Sequence, residues 1–131
     1  MEFFAIADCR IEPDQLTELL TVDNLPRICD SIDSLLESGG DWGKIYCLWG
    51  EFLVNREVIN GGIRFTMPHC PNTMTWTITT GHPPAEERVV IHCTIARYDH
   101  EPDFLESIET WVDDWKRGLE RELVSRVDDS G

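Results

Sequence analysis

Between Lys44 and Tyr98 the apolar residues change their spacing from near 3.6 to 2, and this constrains the fold more than any motif. "IRFTM" sets Ile63, Phe65 and Met67 against Arg64 and Thr66. "MTWTITT" sets Met74, Trp76 and Ile78 against Thr75, Thr77 and Thr79. "RVVIHCTIARY" sets Val89, Ile91, Cys93 and Ile95 against Val90, His92, Thr94 and Ala96. Such alternation gives each strand one oily side and one Thr-rich side, as in an antiparallel sheet covered on one face. Asn60-Gly61 predicts a tight hairpin with both residues at positive φ, as a type I′ turn requires. "KIYCLWGEFLVNREVI" reads as one long bent strand with Gly50 as a bulge. The expected sheet is a meander of roughly four strands.

Helical spacing flanks this block. In "DNLPRICDSIDSLLESGG", Leu25, Ile28, Cys29, Ile32, Leu35 and Leu36 form one helical stripe, with Asp23 or Asn24 to cap it and Gly39-Gly40 to stop it. "EPDQLTELL" predicts a shorter helix with Pro13 in its first turn. Residues 2–11 fit a first strand or an irregular lead-in. Phe104, Ile108, Trp111, Trp115 and Leu119 recur at helical spacing and predict a long C-terminal helix lying across the oily side of the sheet. The expectation is a single α+β domain over 1–131, in two layers, with N-terminal helices, the meander and the long helix. Residues 126–131 are expected to fray. A chain of 131 residues can build such a core without disulfide or metal staples.

Charge is unevenly placed. Twenty-five acids and eleven bases leave −14. Residues 1–43 carry −8, residues 44–98 carry +1 and residues 99–131 carry −7. This balance repels phosphate backbones and anionic membranes and favours a basic protein partner. No apolar run approaches the length of a membrane span, and the N-terminus has no basic lead before its apolar residues. Five scattered cysteines without a CxxC predict reduced thiols in a cytoplasmic protein.

The segment "FTMPHCPNTMTWTITTGHPP" looks most like chemistry, since it holds His69, Cys70 and His82. A strand between them spans about 20 Å, so its two ends do not share one ion. His92 and Cys93 are strand neighbours and point to opposite faces. His69 and Cys70 are adjacent, whereas a base reaches a nucleophilic thiol from elsewhere in a fold. There is no P-loop, GxSxG, HExxH or strand-linked GxGxxG. No metal, no cofactor and no catalytic residue is expected. The prolines read as turn punctuation.

Size and acidity place the chain, by class only, with immunity proteins, inhibitors of nucleic-acid enzymes, and small secretion chaperones. The leading expectation is a non-enzymatic protein that occludes a basic partner: a nuclease, a toxin or a nucleic-acid-guided complex, the acids imitating phosphates. Asp14, Glu18, Asp30, Asp33 and Glu37 would form its contact surface. The alternative is a small-ligand binder or enzyme with a pocket between sheet and long helix, polar residues Arg64, Thr77, His92 and Thr94 supplying a lining or a second surface. A secretion chaperone, as a homodimer with an apolar groove, is a third.

Overall fold

The computed structural model describes residues 1–96 and 100–130, with side chains as far as Leu123. The described residues form seven strands: β1 (Glu2–Ala7), β2 (Ile32–Ser38), β3 (Trp42–Cys47), β4 (Gly50–Ile59), β5 (Gly62–Thr66), β6 (Thr75–Thr80) and β7 (Val89–Thr94). Two short helices, α1 (Pro13–Leu19) and α2 (Leu25–Ile28), lie between β1 and β2, with a 3-10 turn at Val22–Asn24. The long helix α3 spans Pro102–Ser130. The strands form one antiparallel sheet in the order β1-β7-β6-β5-β4-β3-β2. The α+β class and the long helix match the sequence; four strands become seven. The tail expected to fray is helical backbone to Ser130, and Gly131 lies outside the described residues.

Two corrections explain two of the three extra strands, and β1 is the third. The helix expected over residues 24–38 is a single turn of helix followed by β2. In β2 the register shifts between Ile32 and Ser34 and again between Leu35 and Glu37. Each shift inserts one residue, so Ile32 and Leu35, opposite Cys47 and Ile45, stand three positions apart. A doubly bulged strand thus imitates a helical stripe. The expected long strand from Lys44 is instead a hairpin: Leu48 and Trp49 turn the chain between the paired Cys47 and Gly50, with Gly50 at φ 112°. A positive φ costs glycine nothing, which is why the turn closes there.

The Asn60-Gly61 hairpin forms where expected, but only Gly61 (φ 87°) is left-handed, so its turn is not type I′. Of residues 2–11, Glu2–Ala7 form β1, paired with β7 in unbroken register, and 8–11 are irregular.

One core lies between the sheet and the helices. Ile63, Phe65, Trp76, Ile78, Ile91 and Cys93 of the sheet face Leu16, Leu19, Ile28, Ile108, Trp111, Trp115 and Leu119 of the helices, all buried. α3 lies along β1 and β7, and α1 lies over β5 and β6. Trp76, Trp111 and Trp115 pack inside, as their periodicity predicts. Among the described residues, the opposite face of the sheet carries no helix.

Candidate functional site

Three irregular segments meet at the end of the sheet where α3 begins. The β3–β4 turn supplies Trp49. The connection from β5 to β6 is a compact loop, closed by hydrogen bonds from Met67 N to Met74 O, Cys70 N to Met67 O and Thr73 N to Cys70 O. Thr73 has a positive φ of 50°, and Ala96 N ties Asn72 O to the end of β7. From α3, Phe104 projects toward both. The indole N–H of Trp49 donates to Ser107 Oγ at 2.8 Å, and Ser107 donates in turn to Phe104 O at 2.5 Å, which pins the turn against the helix.

Between them is a cleft of about 90 Å³, lined by Trp49, Phe52, Met67, Cys70, Pro71, Asn72, Met74 and Phe104. An apolar cavity of about 150 Å³ holds benzene, so this one takes a few carbon atoms as it stands. Its lining is apolar except for the Cys70 thiol and the Asn72 amide. Two flexible thioethers, Met67 and Met74, form part of its wall and let it change shape.

Through Trp49 the wall of the cleft touches a continuous aromatic cluster, whose other members do not line it. Trp49 stands 4.8 Å from Trp111, Trp111 meets Trp76 edge-on at 5.1 Å, and Phe65 links Trp76 (5.2 Å) to Trp115 (6.0 Å). The indole N–H groups of Trp76, Trp111 and Trp115 are buried without a hydrogen-bond partner. A buried donor left unmade costs about 1–3 kcal/mol. The edge-on pair offers one indole edge a π face, which serves one of its two donors at best. Phenylalanine would fill such positions without that penalty. Three such donors lie in contacting rings.

Two buried thiols of the neighbouring strands, Cys47 and Cys93, are held neutral. Burial pushes Cys93 up to about 12, with the charge of a Cys70 thiolate adding to it. Burial also raises Cys47, against the pull of the Trp49 and Gly50 backbone N–H groups. Neutral thiols are weak nucleophiles. Among the described residues no three His, Cys, Asp or Glu side chains are placed to hold a metal ion.

The residues singled out from the sequence lie elsewhere. Arg64, Thr77 and His92 fall in one register row across β5, β6 and β7, on the face without helices, with Glu57 and Phe4 at its two ends. Arg64 pairs with Glu57 at 2.7 Å, and His92 meets Glu2 at 2.9 Å while stacking on Phe4. Thr94 occupies the next row and donates to Thr75 O. They form an outer surface and do not line the seam between sheet and helix.

Nor do the five acids share a helical face. Asp14 and Glu18 are exposed on α1. Asp30 sits in a turn and pairs with Arg121 at 3.9 Å, while Asp33 and Glu37 lie on β2. What sequence reasoning missed was Trp49, Phe52 and Phe104 as partners of Cys70, because they converge from three elements far apart in the chain.

No family model and no curated protein matches the chain. Solved structures do. The protein XoxI from Bacillus cereus superposes with a TM-score of 0.67 at 14% identity, over 94% of this chain and 95% of that one. An uncharacterised protein from Bacillus thuringiensis gives 0.66 at 14% identity, over 95% and 99%. A START superfamily protein from Mycobacterium smegmatis gives 0.62 at 8% identity, over 95% and 97%. This chain shares their fold. At such identities the likeness speaks of architecture and not of activity.

Proposed function

We propose that this protein binds a small apolar molecule carrying a hydrogen-bond acceptor, in the seam between the sheet and the first turns of α3. One observation carries the reading: an apolar cleft adjoining a cluster of three buried indole donors that have no acceptor. Fold likeness to a START superfamily protein is compatible with it and adds nothing specific. The reading is of binding without chemistry, beside the buried thiols Cys47 and Cys93, which are kept protonated and weakly nucleophilic. A ligand with a carbonyl or ether oxygen would replace an unmade hydrogen bond and gain apolar contact at once.

The test is a titration with methyl ketones and matching alkanes of increasing chain length, read by tryptophan emission. Saturable binding is expected, stronger for the ketones and lost in Cys70→Trp, which fills the mouth. An absence of saturable change at every chain length would sink the reading.

A second reading keeps the basic protein partner, the chain acting by stoichiometric occlusion. All nine lysines and arginines with described side chains are ion-paired, whereas Glu12, Asp14, Glu18 and Asp23 form no ion pair among the described residues. That leaves α1 and its flanks as unneutralised negative surface. Charge reversal at Asp14 and Glu18 should slow association with a basic partner at low salt; unchanged rates would remove α1 from such a contact.

A further inference from the structure

The two edges of the sheet are built differently. β2 is bulged twice and carries Asp33 and Glu37, devices that discourage pairing with another strand. β1 has none of these irregularities: from Glu2 to Ala7 it pairs with β7 residue for residue. Met1 and Ile95 exchange both backbone hydrogen bonds, N to O at 2.9 and 3.0 Å. Alternation along an antiparallel pair then turns the N–H and C=O groups of Phe3, Ala5 and Ala7 toward β7, and those of Glu2, Phe4 and Ile6 outward. Asp8, next in the outward series, donates its N–H to Glu120 Oε2 of α3 at 2.9 Å, which closes that end of the edge. Among the described residues the outward groups of Phe4 and Ile6 have no protein partner.

Beside this edge runs a groove of about 540 Å³ between β1 and α3. It is bordered by residues 2–6 of the strand and by Glu109, Val112, Asp113 and Lys116 of the helix. Three acids stand against one base; Lys116 is paired with Glu120 and Asp113 with Arg117 at 2.8 Å, while Glu2 meets His92 on the open face, so Glu109 is the acid that leaves the groove negative. Glu109 makes no ion pair among the described residues. Phe4 and Ile6 alternate onto the face without helices and are 52% and 37% exposed, with Phe4 stacked flat against His92.

We infer that the β1 edge takes up an extended basic segment of another protein as an eighth strand. Side chains of such a strand alternate. Those turned to the groove meet Glu109 and Asp113 and are lysine or arginine; those turned to the open face meet Phe4 and Ile6 and are apolar. The backbone of the guest satisfies Phe4 and Ile6. A second copy of this chain is disfavoured as the occupant, because it would bring another −14 and its own Glu2 against the same acids. This surface is separate from the apolar cleft and does not depend on it.

The experiment uses a doubly capped peptide alternating lysine and valine, its glutamate-for-lysine counterpart, and a version N-methylated at alternate positions. Binding is followed by anisotropy and by amide hydrogen exchange of the intact protein. The lysine–valine peptide should bind, slow exchange at Phe4 and Ile6 by about tenfold or more at saturation, and weaken with salt. Glu109→Lys, at an exposed helix position, should weaken binding about tenfold, and the other two peptides should fail. Absence of binding, unchanged exchange at Phe4 and Ile6, or equal binding of the N-methylated peptide overturns the inference. So does sedimentation showing a dimer in which both amides are protected without peptide.

Discussion

Gly118 of α3 rests directly on the backbone carbonyl of Ile28, where a methyl group would overlap the carbonyl oxygen. Arg121, one turn further along, donates to the carbonyls of Arg27 and Ile28, so α2 is both seated on α3 and capped by it. In a free helix Gly→Ala gains about 1 kcal/mol. Here the overlap is with backbone, which cannot swing aside, and Gly118→Ala should instead lose roughly 1–3 kcal/mol. Urea unfolding checks the sign; a raised midpoint would mean the two helices are further apart.

Arg56 is the second structural anchor. It lies on the core side of β4 with its side chain 12% exposed, donating Nε to Leu20 O at 2.7 Å and Nη2 to Thr17 O at 2.8 Å. These are the carbonyls at the end of α1. Arg56→Met should cost about 2–4 kcal/mol by leaving both without a donor. Asp41→Asn touches the same guanidinium but at a site 75% exposed, and should cost less than about 0.5 kcal/mol. Comparable losses in the two variants would contradict this assignment.

Much of the sheet was legible in the sequence because β5, β6 and β7 alternate cleanly and each packs one face on the core. α3 was legible because its aromatic stripe repeats over several turns. β2 was not, because Asp33 and Leu36 are inserted residues that stretch an alternating pattern to the period of a helix. Gly50 signalled an irregularity correctly, but a bulge and a tight turn use the same left-handed glycine. The cleft was least legible. Cys70 stood out for its histidine and proline neighbours, yet its partners Trp49 and Phe104 are joined to it by topology and not by spacing.

Alkaline pH should weaken the fold. Burial pushes Cys93 up to about 12, and burial, Glu120 and Asp8 push Cys9 up to about 11. An unfolded chain ionises its thiols near the ordinary value of about 8.5. Above that value the unfolded state releases protons that the folded state retains, so stability is full below it and declines as pH rises toward the folded values. Urea midpoints should fall between neutral pH and about pH 10.5, and fall less steeply in Cys93→Ala.

Thiol labelling should report the cleft directly. Cys29, Cys47 and Cys93 are buried, whereas Cys70 and Cys9 are partly exposed. Cys9 holds its proton up to about 11, so at neutral pH Cys70 should be the first residue alkylated. Peptide mapping by mass spectrometry identifies it. Initial labelling at Cys93 would show that the wall opens far more than its packing allows.

The double bulge in β2 has a consequence for crowded conditions. A filament of stacked copies needs two compatible rims, one to present and one to receive, and this molecule has only one. Whatever docks along β1, the bulged β2 rim on the far side disfavours the next addition and so works against growth into a polymer.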